Sequence, residues 1–294
     1  MKIGYFADGE WGHRAFKKII KDESLSIEFI CVRNNTNDQT FNRYSKDYNL
    51  DYLSDKNINS SHFLNKVKKY NCDLFVSMSF NQIFKSEIIN IPRLKSINCH
   101  AGELPFYRGR NVLNWVLIND EKQFGITVHY IDEGIDTGDI ITQKTYSISD
   151  KDNYQTLLEK SYDKCPQLLY KSIKSIQENK VSRIEQSSIH ATGSYCSRRK
   201  KGDEIIDWNK PSREIFNFVR AICDPGPQAR SFHDGNEIKI NKAELIPTAP
   251  SYIGIPGTIL QVDNNQILVK TKDSFIRIVE WTALFKVKTG IRLN

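Results

Sequence analysis

With 294 residues, of which 39% are hydrophobic and 26% charged, the chain has room for one large domain and a smaller appendage, and its make-up excludes a disordered or fibrous protein. A net charge of +7 favours an anionic partner. A phosphorylated small molecule, a nucleic acid and a membrane surface all remain open on that ground alone. No apolar run approaches the ~18 residues of a membrane span. The opening MKIGYFADGE runs straight into a strand pattern rather than a signal peptide, so a cytoplasmic location is the simplest reading. The six cysteines form no CxxC pair and the histidines offer no zinc spacing, so reduced thiols and no metal are expected.

Strand-like and helix-like segments alternate through the first half of the chain. Lys2–Phe6 reads as a strand, followed by a loop over Ala7–Gly12 and a helix over Arg14–Lys21. Ile27–Val32 is a second strand, rich in β-branched residues. Thr40–Tyr48 has helical character, and Ser61–Tyr70 is a helix with an N-cap candidate. Asp73–Met78 is a near-continuous apolar run, as in a buried parallel strand, and Ser96–His100 is the next strand. This alternation predicts an α/β domain with a doubly wound, mostly parallel sheet.

Further along, Asn111–Asn119 reads as a helix, and Gly125–Ile131 and Asp139–Lys144 as two strands around a loop. Tyr154–Gln177 is a long helical stretch, with a break expected near Pro166. Composition turns polar over 181–204, which reads as a linker. Ser212–Ala221 is an amphipathic helix, followed by strand-like pieces at Glu237–Ile240, Gly257–Val262, Gln266–Lys270 and Phe275–Trp281. The expected organisation is a catalytic domain over 1–180, the linker 181–204 and a smaller β-rich C-terminal domain over 205–294. The apolar tail around Phe275, Ile276, Ile278 and Trp281 is a candidate homodimer surface.

The chemically informative stretch is 96–139. Residues two apart in a strand face the same way, so Asn98 and His100 present an amide and an imidazole side by side, at the strand end where open α/β sheets place ligands. Residues 132–139 then pack three aspartates and two glycines into an acidic loop able to bring a carboxylate to that imidazole. Such a trio suits acyl transfer to an amine. Imidazole takes or relays the proton, the carboxylate fixes and charges it, and the amide donates to the oxyanion. No serine or cysteine nucleophile is needed. His129 and His233 read as structural.

The runs NCHAGELPFYRGR (98–110) and GITVHYIDEGIDTGDII (125–141) resemble the folate-dependent formyltransferase family, whose members act on methionyl-tRNA, glycinamide ribonucleotide or amino sugars. The resemblance spans roughly residues 1–290 and recurs in SYCSRRKKGDEIID (194–207). It implies Asn98, His100 and Asp136 as catalytic residues and 10-formyltetrahydrofolate as formyl donor. It implies a pterin pocket lined by Ser79, Phe80 and Ile83 and by Tyr130, Asp132 and Ile135. Many members carry Pro-Ser after the catalytic histidine, where this chain has Ala101-Gly102.

The segment Arg108-Gly109-Arg110-Asn111-Val112-Leu113-Asn114-Trp115 looks most like the sugar N-formyltransferases. That likeness implies a nucleotide-linked amino sugar as acceptor, dTDP-4-amino-4,6-dideoxyglucose above all, feeding surface polysaccharide such as the O-antigen of lipopolysaccharide. A dTDP-3-amino-3,6-dideoxyhexose and methionyl-tRNA are the alternatives; no nucleic-acid partner is expected on the first reading. Arg108, Arg110 and Asn111 are candidate substrate-binding residues, the arginines because guanidinium forks match phosphate oxygens. Trp11, in the loop after the first strand, could stack on a base or sugar. That loop also precedes a helix N-terminus, a common anion site.

Overall fold

The computed structural model describes residues 1–294, which divide into two units. One comprises 1–109, 124–146 and 159–196, and the other 110–123, 147–158 and 197–294.

The first unit is built on strands β1 (Lys2–Ala7), β2 (Ser26–Val32), β3 (Asp51–Ser54), β4 (Leu74–Met78) and β5 (Ser96–His100), the short β6 (Arg108–Gly109), then β7 (Gln123–Tyr130), β8 (Ile140–Ser147) and the short β9 (Tyr195–Cys196). Seven of them form one sheet in the order β3-β2-β1-β4-β5-β7-β8. Strands β1 to β5 pair in parallel and β7 runs antiparallel to β5. The chain order reverses between β1 and β4, which makes their C-terminal ends a topological switch point. Every residue of β4 is buried, as its unbroken apolar run demands of a central parallel strand. Around the Phe6 ring pack Phe29, Phe63, Phe75, Phe80 and Phe84.

Helices α1 (Gly9–Ile19), α2 (Gln39–Asp47), α3 (Ser61–Lys68) and α4 (Ser86–Ile89) connect these strands. Asp38 and Ser60 cap α2 and α3 by accepting the backbone N–H of Phe41 and Phe63. The first helix begins at Gly9, not Arg14, so the expected Ala7–Gly12 loop shrinks to Asp8. Gly12, expected at the end of that loop, is instead a packing residue inside the helix. A Cβ there would come within 2.9 Å of the Ala7 Cβ and 3.0 Å of the Phe41 ring.

Helix α5 spans Val112–Ile118, and α6 runs over Tyr154–Gln177 with Pro166 inside it. The expected break at Pro166 does not occur, because the buried stripe Ser161, Cys165, Leu169 and Ile173 holds the helix on both sides of the proline.

The second unit carries α5, α7 (Ser212–Ile222) and a five-stranded antiparallel sheet of β10 (Ala229–His233), β11 (Asn236–Glu244), β12 (Ile259–Asp263), β13 (Gln266–Lys270) and β14 (Phe275–Ala283), in the order β10-β11-β14-β13-β12. The Asn114 amide on α5 donates 2.6 Å to the Ala221 carbonyl of α7. Strand β10 was not legible in the sequence, because its ARSFH run is mostly polar or small. Ile276 and Ile278, named above for a dimer surface, lie in the core of this unit, which leaves Phe275 and Trp281 half-buried. No helix of the chain is long and apolar enough to cross a membrane.

Candidate active site

Asn98 and His100 sit at the end of β5, and their neighbours follow from strand register. In the antiparallel pairing with β7, Asn98 lies opposite His129 and His100 opposite Thr127. Directly opposed side chains in such a ladder touch, and the Asn98 Nδ2 lies 3.3 Å from the His129 Nε2. Asp136 reaches the same spot from the loop between β7 and β8, in the left-handed conformation at φ 54°. Its Oδ1 lies 3.4 Å from His129 Nε2 and 3.5 Å from Asn98 Nδ2, and its Oδ2 lies 3.6 Å from His100 Nδ1. The backbone N–H of Gly109 donates 2.9 Å to Oδ2. One carboxylate therefore lies between two imidazoles and a carboxamide.

The hydrogen-bond partners fix where the ring protons sit. His100 Nε2 lies 2.7 Å from the Tyr107 carbonyl oxygen, and His129 Nδ1 lies 2.7 Å from the Tyr130 carbonyl oxygen. A carbonyl only accepts, so each of those nitrogens carries hydrogen. In the neutral rings the other nitrogens, His100 Nδ1 and His129 Nε2, hold lone pairs, and both face Asp136. A proton arriving on either meets a carboxylate. Burial by itself would raise the Asp136 pKa. The two imidazoles, once protonated, and the Gly109 N–H outweigh it and hold the carboxyl below its ordinary range.

Two glycines make this geometry possible. A Cβ on Gly102 would come within 2.5 Å of both His100 Nε2 and the Tyr107 carbonyl oxygen. Glycine after Ala101 is thus what lets His100 meet that carbonyl. A Cβ on Gly138 would fall 1.9 Å from the Tyr130 carbonyl oxygen.

The other residues singled out in the sequence divide into groups. Ser79 has φ 58°, and its carbonyl and hydroxyl both accept from the Arg33 guanidinium. Phe80 is half-buried beside Phe6 and Phe84. Ile83 and Ile135 are 56% and 51% exposed, and their loops touch where the Ser86 N–H donates 3.0 Å to Glu133 Oε1. Asp132 shapes its own loop, accepting from the Gly134 N–H and the Thr137 hydroxyl. Tyr130 is buried beneath the Arg183 guanidinium, 4.2 Å from its ring centroid.

Trp11 lies in the first turn of α1, edge-on to Tyr162 at 5.1 Å. At the N-terminus of α1 the Asp38 carboxylate accepts the Gly9 N–H at 2.9 Å and also contacts His13 at 2.8 Å. Arg110 is exposed. Asn111 precedes α5 at φ 55° and accepts the Arg199 N–H at 3.0 Å.

Arg108 does not fit the phosphate grip expected of it. It is 7% exposed, and its guanidinium is spent on Gln186 Oε1 (3.0 and 2.7 Å), the Thr192 carbonyl (3.0 Å) and the Tyr195 hydroxyl (3.1 Å). Two further residues take part, His129 and Gln186. His129 reads as structural from the chain alone, yet its place two residues beyond Thr127, opposite Asn98, puts it at the carboxylate. Gln186 lies in the polar stretch read as a linker, where no periodic signal marks it.

Comparison with known proteins bears on the same segments. The formyl transferase family model matches residues 21–173, and the model of the formyl transferase C-terminal domain matches 198–288. The methionyl-tRNA formyltransferase of Caldanaerobacter subterraneus subsp. tengcongensis is 33% identical over 236 residues, covering 80% of this chain and 74% of the relative. A solved 4-N formyltransferase from Francisella tularensis superposes with a TM-score of 0.68 at 27% identity, covering 83% of this chain and 98% of that one. The sugar 3N-formyl transferase WlaRD, solved in the presence of dTDP and 5-N-formyl-THF, gives a TM-score of 0.73 at 24% identity over 98% of this chain and 99% of its own, a likeness of fold.

Proposed function

The chain belongs to the formyltransferase family, and we propose that it moves the formyl group of 10-formyltetrahydrofolate onto the amine of a nucleotide-linked amino sugar, with dTDP-4-amino-4,6-dideoxyglucose as the acceptor. The observation that carries the chemistry is the approach of Asp136 to His100 and Asn98 at 3.6 and 3.5 Å, at the C-terminal end of β5. The folate reading is supported by WlaRD, whose structure was obtained with 5-N-formyl-THF. The amino-sugar reading is supported by the likeness to WlaRD, a sugar 3N-formyl transferase, together with the Arg108–Trp115 segment, and the choice of a 4-amino group by the likeness to the Francisella 4-N formyltransferase. The 3-amino isomer is the nearest alternative, since WlaRD is a 3N-formyl transferase. The product would enter surface polysaccharide, and the reaction would run in the cytoplasm.

In this reading the acceptor amine attacks the formyl carbon, a C–N bond forms and the carbonyl oxygen gains negative charge. The Asn98 amide releases its long contact with Asp136 and donates to that oxygen, a type of contact that contributes about 2.7–4 kcal/mol in comparable sites. His100 Nδ1 takes the ammonium proton, because it faces the Asp136 carboxylate at 3.6 Å and Nε2 is already tied to Tyr107. Cleavage of the bond to folate N10 releases tetrahydrofolate, and that nitrogen receives the proton from His100. His129, held by the Tyr130 carbonyl, keeps its Nε2 against the Asn98 amide and so aims it.

The experiment is direct. The purified protein is incubated with 10-formyltetrahydrofolate and, in separate reactions, dTDP-linked 4-amino and 3-amino sugars and methionyl-tRNA, with formylated product followed by mass spectrometry. Turnover of the 4-amino sugar is expected. Turnover confined to methionyl-tRNA, the substrate of the 33%-identical relative, would replace the acceptor assignment.

A further inference from the structure

The backbone of the Asp136 loop is held from below by one side chain. Gln186 is 3% exposed, and its amide nitrogen donates 2.8 Å to the carbonyl of Asp136 and 2.8 Å to the carbonyl of Gly138. Its amide oxygen accepts both Nε (3.0 Å) and Nη2 (2.7 Å) of Arg108. The orientation of this amide is unambiguous, because carbonyls only accept and guanidinium only donates. Both amide hydrogens and both acceptor positions are thus used. Arg108 is itself anchored to Thr192 and Tyr195, across the β6–β9 pair in which Arg108 lies opposite Tyr195. The next residue of β6, Gly109, donates its N–H to the Asp136 carboxylate. One short strand therefore secures the loop twice, through a side-chain relay to the backbone and through a direct bond to the carboxylate.

We propose that Gln186 is a positioning residue for formyl transfer, and that the Arg108–Gln186 relay holds Asp136 in its left-handed backbone conformation so that the carboxylate faces His100 and His129. L-residues rarely adopt that conformation unless their surroundings enforce it. Here the enforcement comes from a group in contact with the carbonyls of residues 136 and 138, one on either side of the Thr137 backbone. With the grip gone, the loop relaxes toward commoner dihedrals and the carboxylate moves off the imidazoles. The proposal rests on the reading of Asp136 as part of the reacting site.

The test uses Gln186→Met, which keeps the volume and removes every polar contact, and Gln186→Glu, which keeps an acceptor for Arg108 but loses both N–H donors. Each is expected to lower kcat by about 10²-fold, the usual cost of displacing a reacting group by about 1 Å, with KM for donor and acceptor held within about threefold. Arg108→Met should reproduce the loss, and the Arg108→Met, Gln186→Met double variant should be no worse than either single. The decisive readout is the Asp136→Asn background, in which Gln186→Met should cost less than about twofold, because the charge it places is already gone. Wild-type kcat in both Gln186 variants would overturn the proposal, as would an equal loss in the two backgrounds, which marks a merely structural side chain. Wild-type turnover in Asp136→Asn alone is a different result, and it would remove the catalytic reading itself.

Discussion

Replacing Asp136 with Asn isolates the charge of the site from its shape. The amide has the same outline as the carboxyl group, and its oxygen can still accept the Gly109 N–H now made at 2.9 Å. What vanishes is a negative charge 3.6 Å from His100 Nδ1. At an effective dielectric of about 20, a unit charge pair at that separation is worth roughly 4–5 kcal/mol, equivalent to about three decades in rate if the imidazolium forms fully in the transition state. The amide dipole and some rearrangement recover part of this, so kcat/KM should fall by about 10²–10³-fold. Steady-state kinetics with both substrates varied will measure it, alongside thermal melts to show that the variant folds. The loss should fall mainly on kcat, since the charge matters most when the proton arrives. A variant retaining activity within about fivefold of the parent would refute the idea that Asp136 stabilises a charged His100.

The same carboxylate predicts a pH effect on stability. Because the fold lowers the Asp136 pKa, its ionised form adds stability above the unfolded value near ~3.9, and that stability is lost as pH falls through the lower folded value. The melting-temperature gap between the parent and Asp136→Asn should therefore narrow below about pH 4; a gap that widens there would contradict the sign. Gly138→Ala should cost about 1–3 kcal/mol in denaturant midpoint analysis and cripple turnover, since the new methyl would meet the rigid Tyr130 carbonyl at 1.9 Å. Near-parent behaviour would mean that this loop yields more easily than its contacts indicate. Burial pushes the Cys196 thiol up to about 11, so at pH 8 iodoacetamide should alkylate it about 10²-fold more slowly than a free cysteine; peptide mapping would detect faster labelling.

Much of this protein could be read without coordinates, for identifiable reasons. Strand periodicity places Asn98 and His100 on one face, and the buried run before Ser79 announces a parallel strand; both are properties of consecutive residues. The acidic loop with its two glycines marks itself by composition. The outcome differed where the deciding contact is remote in sequence. Gly12 looked like loop but packs against Phe41, and Arg108 looked like a phosphate ligand but is enclosed by residues 78–87 positions later. Gln186 carries no local signal at all.

Consecutive residues specify the inventory: a mostly parallel α/β sheet, an amide and an imidazole at one strand end, a glycine-containing acidic loop, and the motifs shared with the formyltransferases. Long-range packing sets which carboxylate oxygen meets which ring nitrogen, brings His129 into the group, and places a buried glutamine against the loop carbonyls. The reason is physical. Periodicity along a chain specifies which face a side chain takes, whereas the register between β5 and β7 and the closure of a loop by a residue 50 positions away depend on packing of the whole unit.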